Sequence, residues 1–79
     1  MLLEKMKKIA LFKVSRDIHE ERMAYYRRQF SFYSKLKHYE LMEAYREKFM
    51  VCAKNYEYSK KQVEIIIREI QTVKELKNV

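Results

Sequence analysis

The residues able to do chemistry in this chain are few: His19, His38, Cys52 and a set of carboxylates at helical spacing. A metal held by histidine on a helix needs a second ligand three or four positions away, so that both project from one face. At that distance His19 meets Arg22 and Met23, and His38 meets Leu41 and Met42. The string His19-Glu20-Glu21-Arg22-Met23 opens like a zinc-protease helix but lacks the closing histidine. Cys52 would need a lowered pKa to act as a nucleophile or redox thiol. It lies between Phe49 and Tyr56 on an apolar stripe, which predicts a buried, inert thiol. Glu40, Glu43 and Glu47, set among Arg46 and Lys48, have the spacing of an exposed ion-paired helix face. Asp17, Glu20 and Glu21 suit the positive end of a helix dipole. No catalytic constellation, no metal and no cofactor is expected, and the chain does not read as an enzyme.

What positions these side chains follows from composition. The 79 residues contain no glycine, no proline and no tryptophan, where about nine glycines and prolines together are usual for this length. Phosphate-cradling loops and nucleophile elbows need glycine for backbone approach or positive φ, so those enzyme classes are excluded. Tight hairpin turns lose their preferred residue as well, which disfavours β-rich folds. At 48% hydrophobic and 14% aromatic the chain has enough apolar surface to fold. An all-α single domain over residues 1–79 is expected, a small helical bundle or helical hairpin with a coiled-coil-like C-terminal half. Chains of this size often complete their core by association, so a homodimer is expected too.

The single cysteine cannot form an internal disulfide, and Glu4 and Lys5 interrupt what would be a signal's apolar region. These features point to a reducing, cytoplasmic setting. Runs such as Phe49-Met50-Val51-Cys52-Ala53 fall far short of a bilayer-spanning segment of about 20 residues.

Periodicity predicts helices over 2–14, 17–37, 40–54 and 59–77. The first places Leu2, Leu3, Met6, Ile9, Ala10 and Val14 on one face, although residues 9–14 alternate well enough for a short strand. Ser15 or Asp17 can cap the next helix, and Asp17 with Glu20 forms a capping box. Ile18, Tyr25, Phe32 and Tyr39 then recur every seven residues, flanked by Tyr33 and Leu36. Met42, Tyr45, Phe49, Cys52, Tyr56, Ser59, Val63, Ile66, Ile70 and Val73 alternate spacings of three and four on a different phase. The change of phase predicts a turn near 37–40. Asn55 to Ser59 offers a second break, with Ser59 and Gln62 as a capping box, yet the heptad phase runs straight through it. Either that break is real and the monomer is a compact bundle, or residues 40–77 form one helix about 57 Å long that two chains share.

Charge is uneven. Residues 1–37 hold ten Lys or Arg and four acids, whereas residues 38–79 hold eight and seven. Three surfaces are predicted from these patterns. Val63, Ile66, Ile70 and Val73 form the oligomer seam. Tyr26, Phe30 and Tyr58 are aromatics outside the stripes, and Tyr26, Arg27, Phe30 and Tyr33 are expected to form a ridge that binds another protein, Tyr and Arg being frequent interface anchors. Arg27, Arg28 and Lys35, interleaved with aromatics, would follow phosphates if the partner were nucleic acid. A membrane surface is not expected, because Leu11 and Phe12 fall off the first helix's apolar face. The leading expectation is a small interaction protein that works as a regulator, inhibitor or adaptor by binding another protein. The alternative is a nucleic-acid-binding regulator.

Overall fold

The computed structural model describes residues 2–77, with side-chain surroundings described for residues 2–73; Met1, Asn78 and Val79 of the expected domain lie outside the described residues. Two helices, α1 (Leu2–Lys35) and α2 (Tyr39–Lys77), form an antiparallel hairpin, and no strand occurs among the described residues. The molecule is a rod of 63 × 17 × 13 Å. Its length is that of α2, since 39 residues at a rise of 1.5 Å span about 58 Å.

The turn occupies Leu36, Lys37 and His38, and its hydrogen bonds define a complete Schellman cap. The His38 amide donates to the Tyr33 carbonyl at 3.0 Å and the Lys37 amide to the Ser34 carbonyl at 3.1 Å. Lys37 carries the left-handed φ of 57° that this motif requires. The apolar contact that accompanies such caps is an edge-on packing of the Tyr33 and His38 rings, 6.0 Å between centroids. His38 also starts α2: its carbonyl accepts the Met42 amide at 3.0 Å, and its Nδ1 faces the Leu41 amide at 3.5 Å. One residue thus closes α1 and opens α2, which is how a chain without glycine reverses within three residues.

Two expected breaks are absent, and the alternating segment 9–14 is helical. Ser15 and Asp17 lie inside α1, and residues 55–59 lie inside α2. Breaking a helix leaves up to four amides and four carbonyls without partners, and no glycine or proline forces that cost here. The outcome also differs from both arrangements weighed for residues 40–77. α2 is continuous, but α1 is equally continuous and covers it within one chain.

The seam of α2 is the one its periodicity predicts. Cys52, Ser59, Val63 and Ile66 are buried, Ile70 is half-buried and Val73, near the open end, is exposed. The seam of α1 differs from its predicted stripe. Lys5, Ile9, Phe12, Arg16, His19, Met23, Tyr26, Phe30 and Tyr33 are half-buried and alternate spacings of four and three, with Ser15 and Gln29 half-buried beside them. Ile18, Tyr25, Phe32, Leu36 and Tyr39, predicted to point inward, are all exposed. So are Leu2, Leu3, Met6 and Val14 at the start of α1. Register is set by small and charged groups together. The Ser59 hydroxyl, 3% exposed, lies 3.2 Å from that of Ser15, and the Lys5 ammonium lies 3.2 Å from the Glu69 carboxylate near the open end.

Candidate interaction surface

Of the ridge expected to bind a partner, Tyr26, Phe30 and Tyr33 turn toward α2. Tyr33 stacks on Tyr45 with centroids 5.6 Å apart and planes within 5°, and Tyr26 packs on the same ring at 6.1 Å. The free ridge is therefore corrected to a tyrosine cluster that joins the helices next to the turn. Partial burial of Tyr45 in this cluster, reinforced by the neighbouring Tyr25 and Tyr33 phenols, holds its hydroxyl above its usual pKa of 10.0. The Lys48 ammonium sits over the outer part of the same ring, 5.2 Å from its centroid.

Arg27 has its guanidinium 5.5 Å from the centre of the Phe49 ring. With Phe30, Arg46 and Met50 these two line a shallow apolar groove of about 300 Å³ on one face of the hairpin. Arg27, Arg28 and Lys35, the three cations proposed for nucleic acid, are all exposed, and Arg27 also leans on an aromatic ring. Val63, Ile66 and Ile70, predicted as an oligomer seam, pack against α1 of their own chain. Their burial is accounted for without a second copy.

The opposite face carries Ile18, Tyr25 and Phe32, which sequence reasoning assigned to the interior, together with Leu11, Val51, Tyr58 and Ile65, which it did not. Leu11, Ile18, Tyr25 and Phe32 run along α1 at seven-residue intervals, and Val51, Tyr58 and Ile65 run along α2 at the same interval; all seven are 43–70% exposed. Both stripes lie on one side of the hairpin. Leu11 and Ile65 line a common groove whose floor is polar and charged as well as apolar, with Ser15, Gln62, Lys5, Lys8 and Glu69 between them, and the Tyr58 ring stands edge-on to Phe12 at 6.2 Å. Half-buried Ala44 continues the α2 stripe toward the turn, one heptad before Val51. From Leu11 to Phe32 the face extends about 31 Å.

Part of the signal for this face was present in the sequence as the repeat of Ile18, Tyr25, Phe32 and Tyr39, which was assigned to the core, while Leu11 was placed off the apolar face of the first helix. α1 has an apolar repeat on each of two sides. The one that faces α2 includes Lys5, Arg16 and His19, so the outward repeat is the purer of the two.

No group of three or more His, Cys, Asp or Glu side chains among the described residues could hold a metal ion, and no helix is long and apolar enough to cross a membrane. His19 lies in the seam with its Nδ1 buried and without a hydrogen-bond partner. Cys52 is buried and unpaired. Comparisons with protein-family models, curated proteins and solved structures gave no match, so the surface is interpreted from its own geometry.

Proposed function

We propose that this chain is a small cytosolic helical interaction protein, acting as a regulator, inhibitor or adaptor by binding another protein and carrying no chemistry of its own. The observation that supports this reading is the apolar face of Leu11, Ile18, Tyr25, Phe32, Val51, Tyr58 and Ile65. Seven large apolar side chains at regular spacing in water mark a binding surface, because single soluble domains seldom leave so large a patch uncovered. The test is affinity capture from native cells with the full chain and with Ile18→Glu, each with and without nuclease. A specific protein that resists nuclease and is lost with Ile18→Glu supports the reading. Identical captures by both chains, or none, contradict it.

A second reading is favoured by one observation: exposed Arg28 and Lys35 follow exposed Tyr25 and Phe32 by three residues each on one face of α1. Cations and open aromatic faces together can hold single-stranded nucleic acid. If they do, Arg28→Ala with Lys35→Ala flattens the dependence of log affinity on log salt by about 1.4, the value for two phosphates on a single strand. Absence of gel retardation at low salt with folded protein in excess eliminates it.

A further inference from the structure

We propose that the apolar face is covered by a second copy of this chain, giving a four-helix bundle in which the two turns lie at the same end. This rests on reading the face as a binding surface and assigns its occupant. Area gives the first argument. A compact monomer of 9.9 kDa exposes about 5,200 Å², whereas this hairpin exposes 6671 Å². The excess exceeds the roughly 800 Å² that each partner contributes to a standard interface.

The sequence of each stripe gives the second. Along α1 the face changes from aliphatic Leu11 and Ile18 to aromatic Tyr25 and Phe32 as it approaches the turn; along α2 it changes from Tyr58 and Ile65 to Val51 and Ala44 in the same direction. Ser15 beside Ser59 and Lys5 beside Glu69 fix which levels of the two helices correspond. With a two-fold axis parallel to the rod, α1 of one copy lies over α2 of the other at these same levels. Phe32 then meets the partner's Ala44, Tyr25 the partner's Val51 and Ile18 the partner's Tyr58. Large side chains oppose small ones in the layers next to the turns, as a packed core requires.

Charge selects this arrangement over the reversed one. Glu21, Arg28 and Lys35 are exposed along the outer edge of the α1 stripe, and Lys54, Glu47 and Glu40 along that of α2. With turns together, each of these faces an opposite charge at its own level: Glu21 the partner's Lys54, Arg28 the partner's Glu47, Lys35 the partner's Glu40; toward the open end the same repeat sets Lys7 against the partner's Arg68, the one level of like charge. With turns apart and the α1 stripes centred on one another, Glu21 meets its own copy and Lys7 meets the partner's Lys35. Like charges across an interface suppress that pairing. The groove beside Arg27, Phe30 and Phe49 lies on the far side and stays open to a heterologous partner.

The test uses purified full-length protein. Sedimentation equilibrium from 1 to 100 µM is expected to give a dimer, and Ile18→Glu to weaken it at least a hundredfold while circular dichroism stays helical. Glu21→Lys weakens association, and adding Lys54→Glu restores it. A spin label on Lys37→Cys in a Cys52→Ala background reads the turn-to-turn distance. About 20 Å is expected for helices packed 8–10 Å apart, and a value near the 63 Å length of the rod overturns the orientation. A wild-type monomer at 100 µM overturns the second copy as occupant; the Ile18→Glu capture then still decides whether the face binds a different protein.

Discussion

Lys37 is the residue at which the backbone is least at ease. A side chain at φ 57° costs about 1 kcal/mol more than glycine would, since only glycine lacks the Cβ that collides there. Lys37→Gly is therefore expected to raise stability by about 1 kcal/mol, or roughly 4–8 °C in Tm for a domain of this size; an unchanged or lower Tm would count against the cap. Tyr45 is expected to give the fold a dependence on alkaline pH. Its hydroxyl has a raised pKa in the fold, chiefly from partial burial and then from the Tyr25 and Tyr33 phenols. A raised folded value means that the unfolded chain releases the proton first. The associated stability is complete below about pH 10 and is lost as pH rises through the folded pKa. In thermal melts across that range, Tyr45→Phe should lose less stability than wild type; parallel curves would show that the phenol is not desolvated.

At the scale of elements, the seam makes the helices interdependent. Ile66 is 7% exposed, and full burial of such a side chain is worth about 1.5–3 kcal/mol. Ile66→Asp also places a charge there, so it should abolish cooperative melting, and retention of wild-type helicity and Tm would refute the seam. His19→Leu should act in the opposite sense and raise stability by about 1 kcal/mol, because an unpartnered buried nitrogen carries a desolvation cost. The half of the seam on α2 was legible in the sequence because its alternating repeat from Met42 to Val73 meets only one polar residue, Ser59, and small Ser59 fits where the helices approach. The half on α1 was not. Arg16 and His19 occupy inward positions while Ile18 and Tyr25 occupy outward ones, so hydrophobicity alone selects the wrong side. The turn was legible to within a residue or two, but the continuity of both helices was not, because capping residues such as Ser15 and Ser59 are also small enough to serve as seam residues.

For the whole molecule, two helices alone make a thin core. Only Cys52, Ser59, Val63 and Ile66 are buried among the described residues, and no side chain is enclosed completely. A rod built this way keeps apolar surface on its flanks, and the proposed function and dimer follow from that shortage of interior. The same geometry explains why the outward apolar face was hard to place from the sequence. Which of two apolar stripes faces inward is decided by the other helix.

α1 folds back on α2 of its own chain with Ser15 against Ser59, which turns Leu11, Ile18, Tyr25 and Phe32 outward. Ser15→Cys with Ser59→Cys in a Cys52→Ala background tests it, since the two hydroxyls lie 3.2 Å apart and cysteines at such neighbouring positions can be bridged. Under mild oxidation in dilute solution the account predicts a disulfide within one chain, seen as a monomer of increased mobility on a non-reducing gel. A covalent dimer, or two thiols that remain free, would contradict it.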